Sequence, residues 1–402
     1  MKITESLMML ATAGFLTLLP ACGTTAAAPA ADDVVVAIDV ADAAAADTTA
    51  ADATDAAVAI DPLAWPVDAP GPYKCGFRII PLTYTLPGGL GERKADIHVW
   101  YPASATSNVH PKYLDSFEDP TACTGAPLAP SVYPAGYPVL IHSHGDHGYA
   151  GNSAVLMCYM ASHGWLAVGP THVGNTLFDT PDPRPLALSL QRPLDMRKTI
   201  DTLEKLPASD ELAGKIDFSR IGLSGHSYGT YTTWAVAGAK WDAAVLAKHC
   251  KDGGYPDCSP ALNAEVLGDL ADPRIKTFVA LAGDGGDVFG KQGYNAVKKH
   301  VLQMNGTLDD AGETPLYASV TAVDLTWVDV EGGCHQLFAL GNSWYGDPAC
   351  KALPDAEGFK IVQTWLLAWL RAEVLDDKTQ AVVDIVTGKV AVSPRVSYKH
   401  KK

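Results

Sequence analysis

Residues Arg220–Gly238 read RIGLSGHSYGTYTTWAVAG. The opening part, IGLSG, is a short apolar run that suits a buried strand, and TYTTWAVAG reads as a helix. Between them stands Gly225-His226-Ser227-Tyr228-Gly229, a Gly-x-Ser-x-Gly pentad. Such a pentad on its own arises by chance. Flanked by a strand and a helix, it predicts the sharp turn that presents a serine nucleophile at its tip. Small residues at 225 and 229 let the two backbones approach. The bland alternative is a glycine-rich turn with an incidental serine, and the flanking elements favour the nucleophile.

Outward from this turn the chain alternates strands and helices. Cys75 to Thr85, Ala95 to Pro102, Pro138 to Ser143, Trp165 to Val168 and Arg220 to Ser224 read as strands. Ile275 to Ala282, Val301 to Asn305 and Thr326 to Val330 follow, the last of these closing the sheet. A helix capped by Asn152 or Ser153 ends near His163, with Gly164 after it. Pro193 opens another, with Met196, Ile200 and Leu203 along one stripe. Phe359 to Arg371 is a closing amphipathic helix. The order implies an α/β fold with a mostly parallel sheet covered by helices on both faces.

A serine nucleophile needs a base, and the base an orienting acid, in the chain order Ser, acid, His. His335 lies in VDVEGGCHQLF, past the last predicted strand, in a glycine-rich loop able to reach across the sheet. His249, His300 and His400 are worse placed. Asp309 follows one strand in VLQMNGTLDD and is the first choice of acid, with Asp310 beside it. Asp284, with Asp287 in ALAGDGGD, follows the preceding strand and is the runner-up. Both loops sit at carboxyl ends of strands, where sites in open parallel sheets assemble. The oxyanion site should combine the backbone N–H of Tyr228 with that of Asp146, in the loop after PVLIHS.

That loop is unusual. Ile141–Gly151 is IHSHGDHGYAG, and His142, His144, Asp146 and His147 spell a dinuclear-zinc box, with His226 as a further ligand. Histidines two apart point the same way on an extended chain. The zinc reading still lacks an acidic bridge after a later strand, and it leaves Ser227 and the strand–helix order unexplained. A non-catalytic surface binding module is a third alternative, against which the ordered Ser, acid and His count.

Seven pieces occur in a familiar order: VWYPA (99–103), PVLIHSHG (138–145), LAVGPTHVGNT (166–176), RPLDMRKTIDTL (192–203), RIGLSGHSYG (220–229), DPRIKTFVALA (272–282) and GGCHQLF (332–338). From about Pro70 to Arg371 the chain resembles the α/β-hydrolase superfamily. Within it, the chain is similar to bacterial predicted dienelactone hydrolases and platelet-activating-factor acetylhydrolase-like esterases. The resemblance implies an α/β-hydrolase fold, a nucleophile at Ser227, a histidine at His335 and an oxyanion amide at Asp146. Acetylhydrolase-like members take their acid after the earlier strand, which keeps Asp284 in play. Segment 239–272 would be a lid or a loop shaping the acyl pocket.

The remaining features concern location. The 402 residues carry a net charge of −15, which argues against a nucleic-acid partner. Nine aspartates between Asp32 and Asp68, in a stretch without Lys or Arg, supply more than half of it. Residues 1–22 read as a signal peptide, with Lys2, an apolar run from Leu7 to Leu19, and a lipobox-like Leu19-Pro20-Ala21-Cys22 that marks Cys22 for lipidation. Residues 23–66 are mostly Ala, Asp and Thr and read as a disordered tether, leaving 67–402 as the catalytic domain. Export permits disulfides. Cys250 with Cys258 and Cys334 with Cys350 are local pairs. Cys158, in an amphipathic run, is expected free, which leaves Cys75 with Cys123.

The chain thus reads as an exported, lipid-anchored serine hydrolase of carboxylic esters that needs no metal or organic cofactor. Small-molecule, lipid and polymer esters all remain open as substrates. Membrane contact would come only through the N-terminal anchor.

Overall fold

The computed structural model describes residues 61–402 apart from positions 291, 310–315, 319 and 345. The signal segment, Cys22, residues 23–60 and Asp310 lie outside the described residues. Residues at the end of the stretch read as tether join the folded body, since Arg371 donates to the carbonyls of Leu63 and Trp65.

Strands β1 (Lys74–Thr85), β2 (Glu92–Ala103), β5 (Cys123–Thr124), β6 (Tyr137–Ser143), β7 (Leu166–Pro170) and β8 (Ile216–His226) build half the sheet. The small pair β3 (Lys112–Tyr113) and β4 (Phe117–Glu118) stands apart from it. Strands β9 (Ile275–Leu281), β10 (Val301–Gly306), β11 (Leu325–Val330) and β12 (Val396–Lys401) complete it. The spatial order is β12-β11-β10-β9-β8-β6-β7-β2-β1-β5. Neighbours from β7 to β11 are parallel, whereas β2 and β12 join their ends antiparallel. This is an α/β-hydrolase fold, a mostly parallel sheet with helices around it.

Each face of the sheet has its own apolar layer. Helices α2 (Ala187–Glu204) and α3 (Tyr228–Ala237) cover one face, placing Ile200 and Trp234 against Val139, Leu223 and Phe278. Helix α1 (Ala154–Ser162) and the long helix Asp355–Val374 cover the other, with Met157 and Trp365 among Leu140, Val279 and Val328. A strand buried on both faces reads as a near-continuous apolar run, as β6 does up to Ile141, and its buried His142 and Ser143 are hydrogen-bonded.

Three expectations are corrected. First, Pro193 lies inside α2 instead of opening it. A proline there leaves the carbonyl four residues earlier without its N–H donor. That carbonyl belongs to Ser189 and is taken by the Tyr231 hydroxyl at 2.6 Å. The helix begins earlier because the Asp257 carboxylate receives the N–H groups of Leu186 (2.6 Å) and Ala187 (3.0 Å). Second, Cys75 bonds Cys158, not Cys123, and no cysteine is free among the described residues. The bond ties β1 to α1, a pairing across the fold that no local spacing announces. Cys250–Cys258 and Cys334–Cys350 form as expected. Third, Thr326–Val330 is not the last strand. Val396–Lys401 adds an edge strand whose lysines reach Asp329 and the Tyr317 ring.

Segment 239–272 follows the α3 cap at Gly238 and carries helices α4 (Ala243–Lys251) and α5 (Pro260–Val266), stapled by Cys250–Cys258. Among the described residues no helix is long and apolar enough to cross a membrane.

Candidate active site

Strand β8 ends at His226, helix α3 starts at Tyr228, and Ser227 makes the whole turn between them. Its backbone stands at φ 56° and ψ −121°. A non-glycine residue in such a conformation costs about 1–3 kcal/mol and persists only where the surroundings impose it. Here the surroundings do. A Cβ on Gly225 would overlap the carbonyl of Gly229, and one on Gly229 would overlap that of Ser143. The Ser227 N–H is held by Leu281 O at 2.9 Å, and its own carbonyl receives the Thr230 hydroxyl at 2.7 Å. Only half buried, the serine projects where the carboxyl ends of β6, β8 and β9 meet.

His335 begins a short 3-10 turn after Gly332 and Gly333. Its Nδ1 lies 3.0 and 3.1 Å from the two carboxylate oxygens of Asp309, which is almost fully buried. Two glycines let the loops after β10 and β11 meet, since a Cβ on Gly306 would overlap the Gly333 carbonyl. Leu308 N–H then donates to Gly333 O at 2.9 Å. With Nδ1–H given to the carboxylate, Nε2 of His335 is the nitrogen left to accept a proton. The other acid candidate is elsewhere. Asp284 is exposed and receives the Gly286 N–H at 2.8 Å in a local turn, while Asp287 pairs with His249 at 3.0 Å.

The loop after β6 borders the serine: a Cβ on Gly145 would stand 3.1 Å from Ser227 Cβ. The Asp146 carboxylate accepts from Asn175 Nδ2 (2.5 Å) and pairs with Arg184 (3.1 Å) and His147 (3.1 Å). Burial alone would raise its pKa, but Arg184, the Asn175 hydrogen bond and His147 outweigh that and hold it below the usual carboxylate value. Tyr228 is the first residue of α3, where N–H groups have no intrahelical acceptor. Its ring carries Arg184 at 4.0 Å and Arg192 at 4.7 Å.

The zinc box disperses. His142 bonds Ser224 Oγ through Nδ1 at 2.8 Å. Both ring nitrogens of His144 are engaged, to Gly145 O and His172 N–H. His147 turns outward to Asp146, and His226 turns to His335 O at 2.9 Å. Among the described residues, no group of three His, Cys, Asp or Glu side chains is placed to hold a metal ion.

A second Ser–His–Asp chain was not legible in the sequence. Ser143 Oγ lies 3.0 Å from His172 Nε2, and His172 Nδ1 lies 2.8 Å from Asp195. All three are wholly buried. Asp195 also takes Arg93 through two bonds of 2.6 Å and the Tyr84 hydroxyl at 2.7 Å. Burial, reinforced by Arg192, drives the His172 pKa down to about 3, so it is a poor proton acceptor at neutral pH. This chain braces β6, β7 and α2, whereas Ser227 is only half buried.

No protein-family model matches the chain, and no curated protein matches it in sequence. Among solved structures, a ferulic acid esterase from Streptomyces cinnamoneus superposes with a TM-score of 0.57 at 18% identity, covering 83% of this chain and 98% of that one. At that identity the likeness speaks for the fold.

Proposed function

We infer that the protein is a serine hydrolase of carboxylic esters, with Ser227 as nucleophile, His335 as base and Asp309 as its orienting acid. The observation that carries this reading is the strained half-buried Ser227 beside loops that join His335 Nδ1 to Asp309. Ser227 Oγ attacks the ester carbonyl as His335 Nε2 takes its proton. The N–H groups of Asp146 and Tyr228 donate to the developing oxyanion. His335 returns the proton to the departing alkoxide, and water activated by the same imidazole then releases the acid from the acyl-enzyme. That a ferulic acid esterase shares the fold makes esters the first substrate class to try. Three disulfides among the described residues suit an oxidising compartment, in keeping with export.

The test is hydrolysis of p-nitrophenyl esters of increasing acyl length by the full chain and by Ser227→Ala, with and without a chelator. Activity should fall by several orders of magnitude in the variant and ignore the chelator. Chelator-sensitive activity that survives Ser227→Ala would overturn the serine mechanism.

A further inference from the structure

His144 is wholly buried, and its partners fix where its proton sits. Its Nε2 lies 2.9 Å from the main-chain nitrogen of His172. An amide N–H can only donate, so Nε2 is the bare, accepting nitrogen. Its Nδ1 lies 2.7 Å from the carbonyl oxygen of Gly145, which can only accept, so Nδ1 carries the hydrogen. The ring is therefore a neutral imidazole in one tautomer, bridging the loop after β6 to the loop after β7.

The oxygen it holds belongs to the Gly145–Asp146 peptide. Gly148 N–H donates to the same oxygen at 3.2 Å. In a trans peptide the C=O and N–H point in opposite directions. Two donors on the oxygen thus turn the Asp146 N–H away from them. That N–H has no acceptor among the described residues, and its neighbour Gly145 packs against Ser227. The preceding peptide is fixed as well, because Arg192 donates to His144 O.

We propose that His144 is a positioning residue for ester hydrolysis, a strut that aims the Asp146 amide at the oxyanion. The inference rests on the reading of Ser227 as nucleophile and of Asp146 as an oxyanion donor. His144 touches neither substrate nor Ser227, and it acts through the peptide plane it holds. The histidine-rich box then enters the chemistry through one ring and one backbone amide.

Three full-length variants test this. His144→Asn keeps a donor near the Nδ1 position, His144→Gln keeps a polar group near Nε2, and His144→Leu keeps neither. Each is assayed for kcat and KM on a p-nitrophenyl ester, with folding followed by near-UV circular dichroism. Misaiming one oxyanion donor should cost about 10- to 100-fold in kcat for Leu and Gln, with KM little changed, and Asn should recover most of the loss. A folded Leu variant with wild-type kcat overturns the proposal, as do equal losses in Asn and Leu. Failure of all three to fold also overturns it, in favour of a purely structural histidine. Labelling of wild-type protein by a fluorophosphonate separates the two readings. Labelled Ser227 with kcat indifferent to His144 defeats only this proposal. An unlabelled serine, with hydrolysis undiminished in Ser227→Ala, defeats the reading beneath it.

Discussion

His226, the residue immediately before Ser227, donates through Nε2 to the main-chain oxygen of His335 at 2.9 Å, with the two rings 4.8 Å apart. The end of β8 and the loop after β11 are thereby locked together next to the serine. A base must stay within hydrogen-bond reach of its nucleophile, and misplacement by about 1 Å can cost about 100-fold. His226→Leu should lower kcat roughly tenfold or more with KM nearly unchanged. His226→Gln, which can still present an N–H to the carbonyl, should recover part of it. Steady-state kinetics on one aryl ester checks both; equal kcat in all three proteins would show that the bond does not position His335.

The two acid candidates part company in space. Asp309 is nearly buried against His335, and Asp284 is spent on a surface turn. Asp309→Asn would favour the wrong imidazole tautomer and should lower kcat by about 1,000- to 10,000-fold while the protein still folds. Asp284→Asn should stay within about threefold of wild type. The reverse ranking, measured on the same ester, would move the acid to the loop after β9.

What the sequence made legible was local. The strand, turn and helix around Ser227 are consecutive in the chain, and glycine at 225 and 229 answers a clash that short-range geometry sets. The zinc-like box was equally local and misleading, because ring direction depends on Ser224, His172 and His335, each on another segment. The same holds for Pro193, whose freed carbonyl is rescued by Tyr231 from the neighbouring helix. Cys75 and Cys158 are 83 residues apart and meet only because α1 packs on β1. The lysine-rich end is an edge strand because it pairs with β11, with Asp329 and Tyr317 beside its lysines. Choosing Asp309 or Asp284 likewise depends on two loops meeting, for both follow a strand closely.

Arg192 is a buried cation that forms no ion pair among the described residues. It donates instead to Thr232 Oγ1 (3.1 Å), Asn175 Oδ1 (2.5 Å), Ser143 Oγ (3.0 Å) and His144 O. Burial pushes its pKa down to about 10, so it stays charged at neutral pH. Arg192→Met would remove an expensive buried charge but strand four acceptors, each costing about 1–3 kcal/mol when left unpaired. The balance should be a net loss of about 2–4 kcal/mol in urea denaturation. Arg192→Lys should recover less than half, since an ammonium cannot span partners on β6, α3 and two loops. Unchanged stability in the Met variant would mean that those acceptors find other donors.

Acid should destabilise the fold well above the range where carboxylates titrate. Burial drives His98 and His163 down to about 4, and His142 and His172 down to about 3, from the ordinary 6.5. Above pH 6.5 neither the folded nor the unfolded chain binds these protons, and the groups leave stability unchanged. Below it the unfolded chain takes up protons that the folded one refuses, so stability falls as pH drops. The loss continues to about pH 4 for the first pair and to about pH 3 for the second. Each histidine contributes a slope of at most about 1.4 kcal/mol per pH unit. Asp195 adds to the fall only below pH 3.8: burial alone would raise its pKa, but Arg93 and His172 hold it at about 2. Urea denaturation across pH 7 to 4 should show the free energy of unfolding declining with a slope of several protons. His98 isolates one of them, because its ring lies among Phe77, Trp100 and Tyr113 and its buried Nδ1 has no hydrogen-bond partner among the described residues. His98→Phe should therefore fold and reduce the slope by about one proton. A profile flat from pH 7 to 5 would show that these histidines accept protons in the folded state.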